Sequence, residues 1–567
     1  MKLNRWAIVA LAGILLLQNQ ASYSQGYENY FVEQSLLFSR QNSGGSARIQ
    51  AMGGAQVALG GDFSSASSNP AGLGFYNRNE FTITPALTLQ NSNGSYRAYG
   101  FDDQNNPTTD VYGSSSSSSN LSLPGLSIVF GSGKTTDQPF YGGTFAITLN
   151  RINDFNGSIE YSGRNRGTSI VSYFLENASG YVKEQFDPAY NFDPTYPNNL
   201  YKGPISEGKG DNVNTSTFLG YENYLFGPRT ANGKDYFTDL RGGKPLQAET
   251  NKLTGSQNQW NISYGANFLD KVFLGASIGI ISVRYQYDKT YSEDFSGQTI
   301  GEIPPNQTIQ RCQSCFNNLK LKETRTTSGS GVNLTVGALV KPIDYFQFGL
   351  SYTTSSAYQL TDSYKGTMTT SWNNYDYYGL KNLNDVSSST IDDPVNYGLS
   401  TPGRFKIGTA FFIPKKGFIT AEIEMVNYGN ASTSNFSDQL YSLTIDANAN
   451  VNRVVSSRFK SVTNLRVGGE YRLKNFRFRA GYNAMENPYS RQPFDRVNYS
   501  LTELSSVTGG FGYRTAKFFV DLAVVQTQGN GYYLPYTVSS NFSDAPPPDY
   551  KYVNSITKIM FTVGIPF

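Results

Sequence analysis

Single alternation of apolar and polar residues runs through much of the C-terminal half of this chain. From Thr557 to Phe567, the residues Ile559, Phe561, Val563, Ile565 and the terminal Phe567 share one face, and Lys558, Met560, Thr562 and Gly564 the other. Val332, Leu334, Val336, Ala338 and Val340 alternate with Asn333, Thr335 and Gly337, and Phe346, Phe348, Leu350 and Tyr352 alternate with Gln347, Gly349 and Ser351. Side chains that alternate at period two give a strand two faces. One apolar and one polar face, strand after strand, predict a transmembrane antiparallel β-barrel with lipid outside and a polar lumen within. Glu422, Glu424, Arg466, Glu470, Arg472, Arg477 and Arg479 then have to point inward, since each Arg on the lipid face near the midplane would cost about 2 to 4 kcal/mol. A cross-strand ladder of mixed sign is expected there. One strand breaks the pattern: even positions are apolar from Val272 to Ile280 and odd ones from Ile281 to Tyr287, which predicts a bulge near Ile280 or a strand leaving the membrane there.

The connections alternate in length. Tight turns are expected near Asp270 and Lys271, at Pro342 to Asp344, at Pro414 to Lys416, at Leu473 and Lys474, and at Thr515 and Ala516. Long polar stretches lie between them, near 288–330, 358–402, 429–459, 486–504 and 527–556, and are read as external loops. With less regular strands near 81–90, 122–131 and 141–150 the count comes to about 14. The stretch from about 160 to 257 is too long for a plain loop, and Ser169 to Gln185 is read as a short helix over or in the pore. Ser114 to Ser119 and Pro546 to Pro548 read as loop tips. At the other end Lys2 and Arg5 precede an apolar run from Trp6 to Leu17, with Ser22 and Ser24 suggesting cleavage before Gln25. This is an export-signal pattern, too short for a membrane-spanning helix. The expected domains are a signal peptide at 1–24, an N-terminal segment at 25–80 and the barrel at 81–567.

Composition narrows the chemistry. Aromatic residues make up 14% of the chain, with 41 Tyr and 37 Phe, which suits interfacial girdles. Lys and Arg number 46 against 43 Asp and Glu, so charge offers no case for a nucleic-acid partner. The chain has no His, which excludes Ser-His and Cys-His catalysis and the usual His-ligated zinc or haem. No enzyme activity, metal or cofactor is expected. Gly131-Ser132-Gly133-Lys134-Thr135 ends like a phosphate-binding loop, but Ile128 stands where the leading Gly belongs and a periplasmic turn is expected here. Cys312 and Cys315 form a C-x-x-C in an expected external loop, read as a surface disulfide ahead of a redox or half-metal motif.

The segment before the first strand is the most specific. Ser46 to Leu73 reads SARIQAMGGAQVALGGDFSSASSNPAGL, rich in Gly, Ala and Ser. Small residues allow tight backbone packing in a confined space, and Asn69-Pro70 favours a turn. On composition alone a periplasmic tail competes with a plug in the lumen. The stretch Met52-Gly53-Gly54, the Ala58 to Asp62 run and Asn69-Pro70-Ala71-Gly72 resemble the hatch of the FadL/TodX family, outer-membrane transporters of long-chain fatty acids and other hydrophobic compounds. Asn464 to Tyr471, Arg479 to Tyr482 and Gly509 to Arg514 agree more loosely. The resemblance implies a 14-stranded barrel in a Gram-negative outer membrane, plugged by its N-terminus, and passive transport with release sideways into the membrane at a kinked third strand. In this chain that strand starts near Tyr141, and Gly142 and Gly143 are the candidates for the break.

Inward Arg404, Lys406, Arg466, Arg477 and Arg479 are candidates for holding a ligand carboxylate, though pairing with Glu422, Glu424 and Glu470 is the favoured reading. Phe567 is read as the signal to the barrel assembly machinery. The expected partners are a hydrophobic small molecule and outer-membrane lipid. The Asn-Pro-Ala hatch also resembles that of the PorV shuttle proteins of the type IX secretion system, which implies the alternative of a scaffold with a protein partner. A lipid-sized lumen cavity with a side portal favours the transporter and a filled lumen the scaffold.

Overall fold

Residues that alternate in character alternate in exposure. On one strand Val332 is 54% and Leu334 42% exposed, while Asn333 and Thr335 between them are buried. On the last strand Ile559, Phe561 and Ile565 are exposed and Met560 and Thr562 buried. Apolar side chains on the outside and polar ones within are the arrangement that lipid as solvent demands.

This computed structural model describes residues 25–567 apart from 43, 103, 135–137, 187–214, 231–233, 241–242, 297, 301–311, 314, 378–380, 391–393, 435–444, 491–501 and 544. The export-signal segment lies outside the described residues. Fourteen antiparallel strands close the barrel. They are β1 (Glu80–Phe101), β2 (Pro107–Gly131), β3 in two pieces (Phe140–Asp154 and Gly157–Arg164), β4 (Leu246–Phe268), β5 (Val272–Asp294) and β6 (Phe316–Ile343). After these come β7 in two pieces (Phe346–Thr353 and Ala357–Tyr377), β8 (Val395–Ser400 and Arg404–Ile413) and β9 (Gly417–Asn427 and Ser432–Ser434). The last are β10 (Ser461–Leu473), β11 (Phe476–Met485), β12 (Leu504–Arg514), β13 (Phe519–Tyr533) and β14 (Asp549–Pro566). β14 returns to β1 with Ile565 opposite Phe81 and Lys558 opposite Thr88. Closure leaves neither terminal strand with a bare edge. Lys381–Ser389 adds a short strand beside upper β7.

The tight turns fall where expected. At the β4–β5 turn, Leu269 and Asp270 both take positive φ, 57° and 55°, the hairpin geometry whose twist matches that of its strands.

Three expectations need correction. First, the register of β5 runs unbroken on both sides from Val272 to Asp294, so there is no bulge at Ile280. The outer face turns polar at Ser282 and Arg284 as the strand rises out of the membrane. The inner face turns apolar because Ile281, Val283 and Tyr285 pack on a helix inside the lumen. Second, much of 288–330 and 358–402 is strand, since β5, β6 and β7 continue far above the apolar band. Third, Ser114 to Ser119 is no loop tip but mid-strand, paired with Leu89 to Gly94 of β1. The inward Ser114 meets the Tyr550 hydroxyl at 2.9 Å and Ser116 donates to Ser158 C=O at 2.7 Å, while the serines that alternate with them are exposed on the outer face. Pro546 to Pro548 does lie in a loop, just before β14.

Helix α1 (Gln25–Ser39) stands in the upper lumen, where Phe31, Val32, Leu36 and Phe38 meet Tyr358, Tyr397 and Leu399 of the wall. Below it lie α2 (Ala47–Gln50), α3 (Ser65–Ser68) and the 3₁₀ turn Pro70–Phe75. Above it a cap is built from α4 (Ile170–Ala178) and α5 (Thr215–Glu222), with Phe174, Phe218 and Leu219 packed on Phe316 and Trp372. Another external helix, α6 (Ile445–Arg458), leans on α1. Cys315 is buried in the cap cluster and disulfide-bonded, Cys312 being the only other cysteine of the chain. Among the described residues no helix is long and apolar enough to cross a membrane.

Candidate functional site

The segment Ser46 to Phe75 folds inside the lower barrel. It makes little regular structure, so its backbone groups need other partners, and the wall supplies them. The Glu422 carboxylate accepts from the amides of Gln56 and Val57, both at 2.9 Å. Thr508 accepts from Gly53 N–H at 3.0 Å and donates to Ala51 C=O at 2.9 Å, and Thr562 accepts from Ala47 N–H at 2.8 Å. The Asn69 amide donates to Val57 C=O at 2.6 Å and to Ala338 C=O of β6 at 3.2 Å. Its oxygen caps the turn by accepting from Ala71 N–H at 3.3 Å. Inside the hatch, Asp62 accepts from Ser46 and Ser64 hydroxyls at 2.7 and 2.6 Å.

Close packing explains the small residues. Met52, Gly53, Gly54, Asn69, Pro70, Ala71 and Gly72 are all buried. Inward glycines of the wall face them: a Cβ at Gly468 or Gly481 would run into the backbone of Met52, and one at Gly337 into the Asn69 side chain. Gly53 takes φ +70° against the backbone of Tyr482, where a side chain would be both strained and blocked. Wall glycines at hatch height are the signal that the sequence reading missed.

The inward charges form the expected ladder. Arg466, essentially without solvent contact, bridges Glu422 at 2.8 Å and Glu424 at 3.1 Å. Arg479 bridges Glu470 at 2.8 Å and Asp521 at 2.6 Å, and hatch residue Arg48 adds Glu470 at 3.7 Å and Asp62 at 3.8 Å. Lys406 and Arg404 approach Glu424 at 3.5 and 3.7 Å, and Arg404 also donates to Ser39 C=O at the end of α1. Arg477 sits apart at the periplasmic turn, donating to Lys474 C=O at 2.7 Å. Of the five basic candidates, Arg404, Lys406 and Arg466 meet in one place. They line a polar cavity of about 40 Å³ between the foot of α1 and the hatch, which reaches across the lumen to Ile152 of β3. That space suits a few waters or a small polar group and is far short of an acyl chain.

The wall is discontinuous on one side. β2 and β3 pair from Gly131–Thr144 up to Gly125–Asn150 and no further, although β2 stays on β1 up to Pro107 and β3 stays on β4 up to Arg164. Above Asn150, β3 passes inside the β1–β2 hairpin: Gly157 faces the Gln90 side chain, and Tyr161 stacks on Tyr96 at 4.7 Å. The unpaired lip of β2 includes Leu121, 78% exposed, and Leu123. Leu121 lies opposite Leu87 of β1, so the seam opens within the apolar band. Open sheet edges are otherwise absent from lipid. The hatch touches the last pair on each lip, with Phe63 against Gly125 and Ser67 accepting from the Asn150 amide at 3.2 Å. Gly142 and Gly143 lie lower, at a register shift between Phe140 and Gly142, where β2 and β3 remain bonded. Phe567, at the foot of β14, is 62% exposed on the outer surface.

No family model matches the sequence, and no curated protein does. Among solved structures the chain is similar to a Pseudomonas aeruginosa FadL homologue, at 12% identity and TM-score 0.49, over 93% of this chain and 99% of that one. It is similar to the Pseudomonas putida toluene transporter TodX, at 13% identity and TM-score 0.45, over 93% and 100%. The monoaromatic hydrocarbon channel CymD follows at 12% and 0.42, over 92% and 98%. The architecture itself, a closed 14-stranded barrel with a plugged lumen, is read from this chain's own strand pairing.

Proposed function

We propose that the protein passes hydrophobic small molecules through a Gram-negative outer membrane and releases them sideways between β2 and β3. The observation that carries this reading is the seam, an unpaired sheet edge at lipid depth with the hatch seated against its last bonded pair. The physics favours such a route. Each CH₂ of a ligand gains about 0.8 kcal/mol on burial, so a wet axial pore is uphill for a long apolar chain and a side exit is not. The apolar upper lumen is filled by α1, so a ligand on this path displaces α1 from Tyr358, Tyr397 and Leu399 before it reaches the seam. The similar structures, a FadL homologue, a toluene transporter and a monoaromatic hydrocarbon channel, are in keeping with this class of cargo.

One observation favours the scaffold reading: the cavity between the foot of α1 and the hatch is not lipid-sized. Native mass spectrometry with lipid extraction, on protein taken from its own outer membrane, separates the two. A bound amphiphile that is lost when Asn69 to Gly72 is deleted supports transport. A ligand-free barrel that co-purifies with a protein partner overturns it in favour of a secretion scaffold.

A further inference from the structure

Charge is spread unevenly around the periplasmic mouth of the barrel. The turns joining β2 to β3, β4 to β5 and β6 to β7 largely balance their lysines. Lys134 meets Asp270 at 2.7 Å and Lys341 meets Asp344 at 3.0 Å, which leaves Lys271 without an ion pair among the described residues. The turns joining β8 to β9, β10 to β11 and β12 to β13 contain no acidic residue. They present Lys415, Lys416, Lys474 and Lys517, all exposed and, among the described residues, all without an ion pair.

The inner wall just above these turns adds to the surplus. Arg472 of β10 lies directly opposite Arg477 of β11, and like charges so placed repel. Arg514 ends β12 beside them, its amide bonded to Asn475 C=O of the β10–β11 turn at 2.9 Å. Arg472 and Arg514 both act electrostatically on Arg477. The carboxylate above them, Glu470, is already shared by Arg48, Arg472 and Arg479 at 3.7, 2.7 and 2.8 Å. Arg477 and Arg514 have no ion pair among the described residues.

These positions decide the kind of partner. Arg477 and Arg514 face inward, Arg477 on the side of buried Arg479 and away from exposed Phe476 and Phe478, so lipid head groups outside the wall do not reach them. A partner that meets the arginines and the turn lysines together lies beneath the mouth, in the periplasm. The turns are too short to enclose a small anion, and four strand spacings, about 20 Å, separate the first of the three from the last. An occupant of all three is extended and repeats its negative charge. A protein partner needs apolar anchors at the centre of its interface. Leu473 and Phe476, on either side of the β10–β11 turn, point outward to lipid and offer none.

We propose that this cationic arc binds peptidoglycan, the polymer beneath an outer membrane whose peptide stems repeat carboxylates along an extended strand. Carboxylates suit both the turn lysines and the forked guanidinium groups just inside. The arc is centred on the β10–β11 turn, across the fourteen-stranded barrel from the seam, so the cell wall holds the barrel on one side and leaves the seam free on the other. The proposal needs only the outer-membrane orientation and holds for a transporter and a scaffold alike.

The test is co-sedimentation of the full chain, in detergent at low salt, with purified sacculi. Wild type is expected to pellet with native sacculi, and to stay in solution with sacculi whose carboxyl groups have been amidated or in salt high enough to screen the contacts. Lys415→Gln, Lys416→Gln, Lys474→Gln and Lys517→Gln combined should weaken binding about tenfold, the scale of four exposed ion pairs. Lys134→Gln, Lys271→Gln and Lys341→Gln combined, on the other turns, should leave it unchanged. Folding of each variant is checked by heat-modifiable gel migration, and the amidated sacculi test the proposal on native protein if a variant does not fold. Equal pelleting with native and amidated sacculi overturns the proposal, as does undiminished binding by the four-lysine variant. Wild type that does not pellet overturns it too: retention of phosphatidylglycerol from mixed micelles would then assign the arc to lipid, and capture of an acidic periplasmic protein would assign it to that protein. None of these outcomes touches uptake of hydrophobic compounds, so the transport reading stands or falls separately.

Discussion

The two halves of the lumen are filled by different physics. Below, the hatch meets the wall through hydrogen bonds, buried ion pairs and backbone lying on glycine, with Glu422 serving both hatch amides and Arg466. Above, α1 meets the wall mainly through apolar side chains, Phe31, Val32, Leu36 and Phe38 among tyrosines and leucines, with polar ties from Tyr30 to Thr327, from Glu33 to Arg458 and Tyr489, and at its C-terminal end. Directional bonds and shape fix the hatch in one place, whereas apolar contacts accept any apolar occupant of similar size. The contrast teaches that the floor of the plug is held by bond direction and shape and its upper part mainly by apolar contact.

The sharpest way to break this contrast is at its shared carboxylate. Glu422→Ala leaves Arg466 short of a partner and two hatch amides unbonded, and should cost about 3 to 5 kcal/mol, read as a lower midpoint in thermal or denaturant unfolding of the folded band. An unchanged midpoint would mean that the floor is not held as described. Phe38→Ala should cost about 3 kcal/mol, but of α1 docking and not of the barrel. Faster hydrogen exchange confined to 30–39 is the expected outcome, and a loss spread over the hatch would erase the distinction between the halves. Gly468→Leu drives a side chain into Met52 and should destabilise by about 1 to 3 kcal/mol while raising single-channel leak. A silent variant there would show that the hatch slides.

The smallest effect expected is one of pH. Burial pushes the Glu33 carboxyl of α1 up to about 7, against the opposing pull of Arg458 and Tyr489. A free glutamate titrates lower, so between about pH 4.5 and 7 the docked helix holds more protons than the undocked one, and docking weakens as pH rises through that window. Exchange protection of α1 should be greater at pH 5 than at pH 8, and Glu33→Gln should flatten the difference. Equal protection at both values in the native chain would refute the assignment.

Much of this architecture was legible because lipid enforces period two strictly. The faces of β6, β7 and β14 follow the alternation residue by residue, and so does the inward ladder of Glu422, Arg466 and Arg479. What failed was legible only through contacts distant in sequence. The apolar switch at Ile281 left a bulge and a strand leaving the membrane both open, because a local pattern cannot show that a helix from residues 25–39 packs in the lumen there. Ser114 to Ser119 looked like a loop because a strand with serine on both faces shows no alternation. The hatch motif was readable from its small residues, but the seam was not, since it arises where two regular strands part company.

Strand length carries a last consequence. β6 has 28 residues, about 90 Å of strand, which at a tilt near 45° raises the wall by about 65 Å. A bilayer with its head groups occupies only about 40 to 45 Å of that height. The mouth therefore stands some 20 Å clear of the membrane surface, like a chimney above a roof. On the transport reading proposed above, a ligand would meet this protein in open water, alone or released from a carrier, well before it reached lipid.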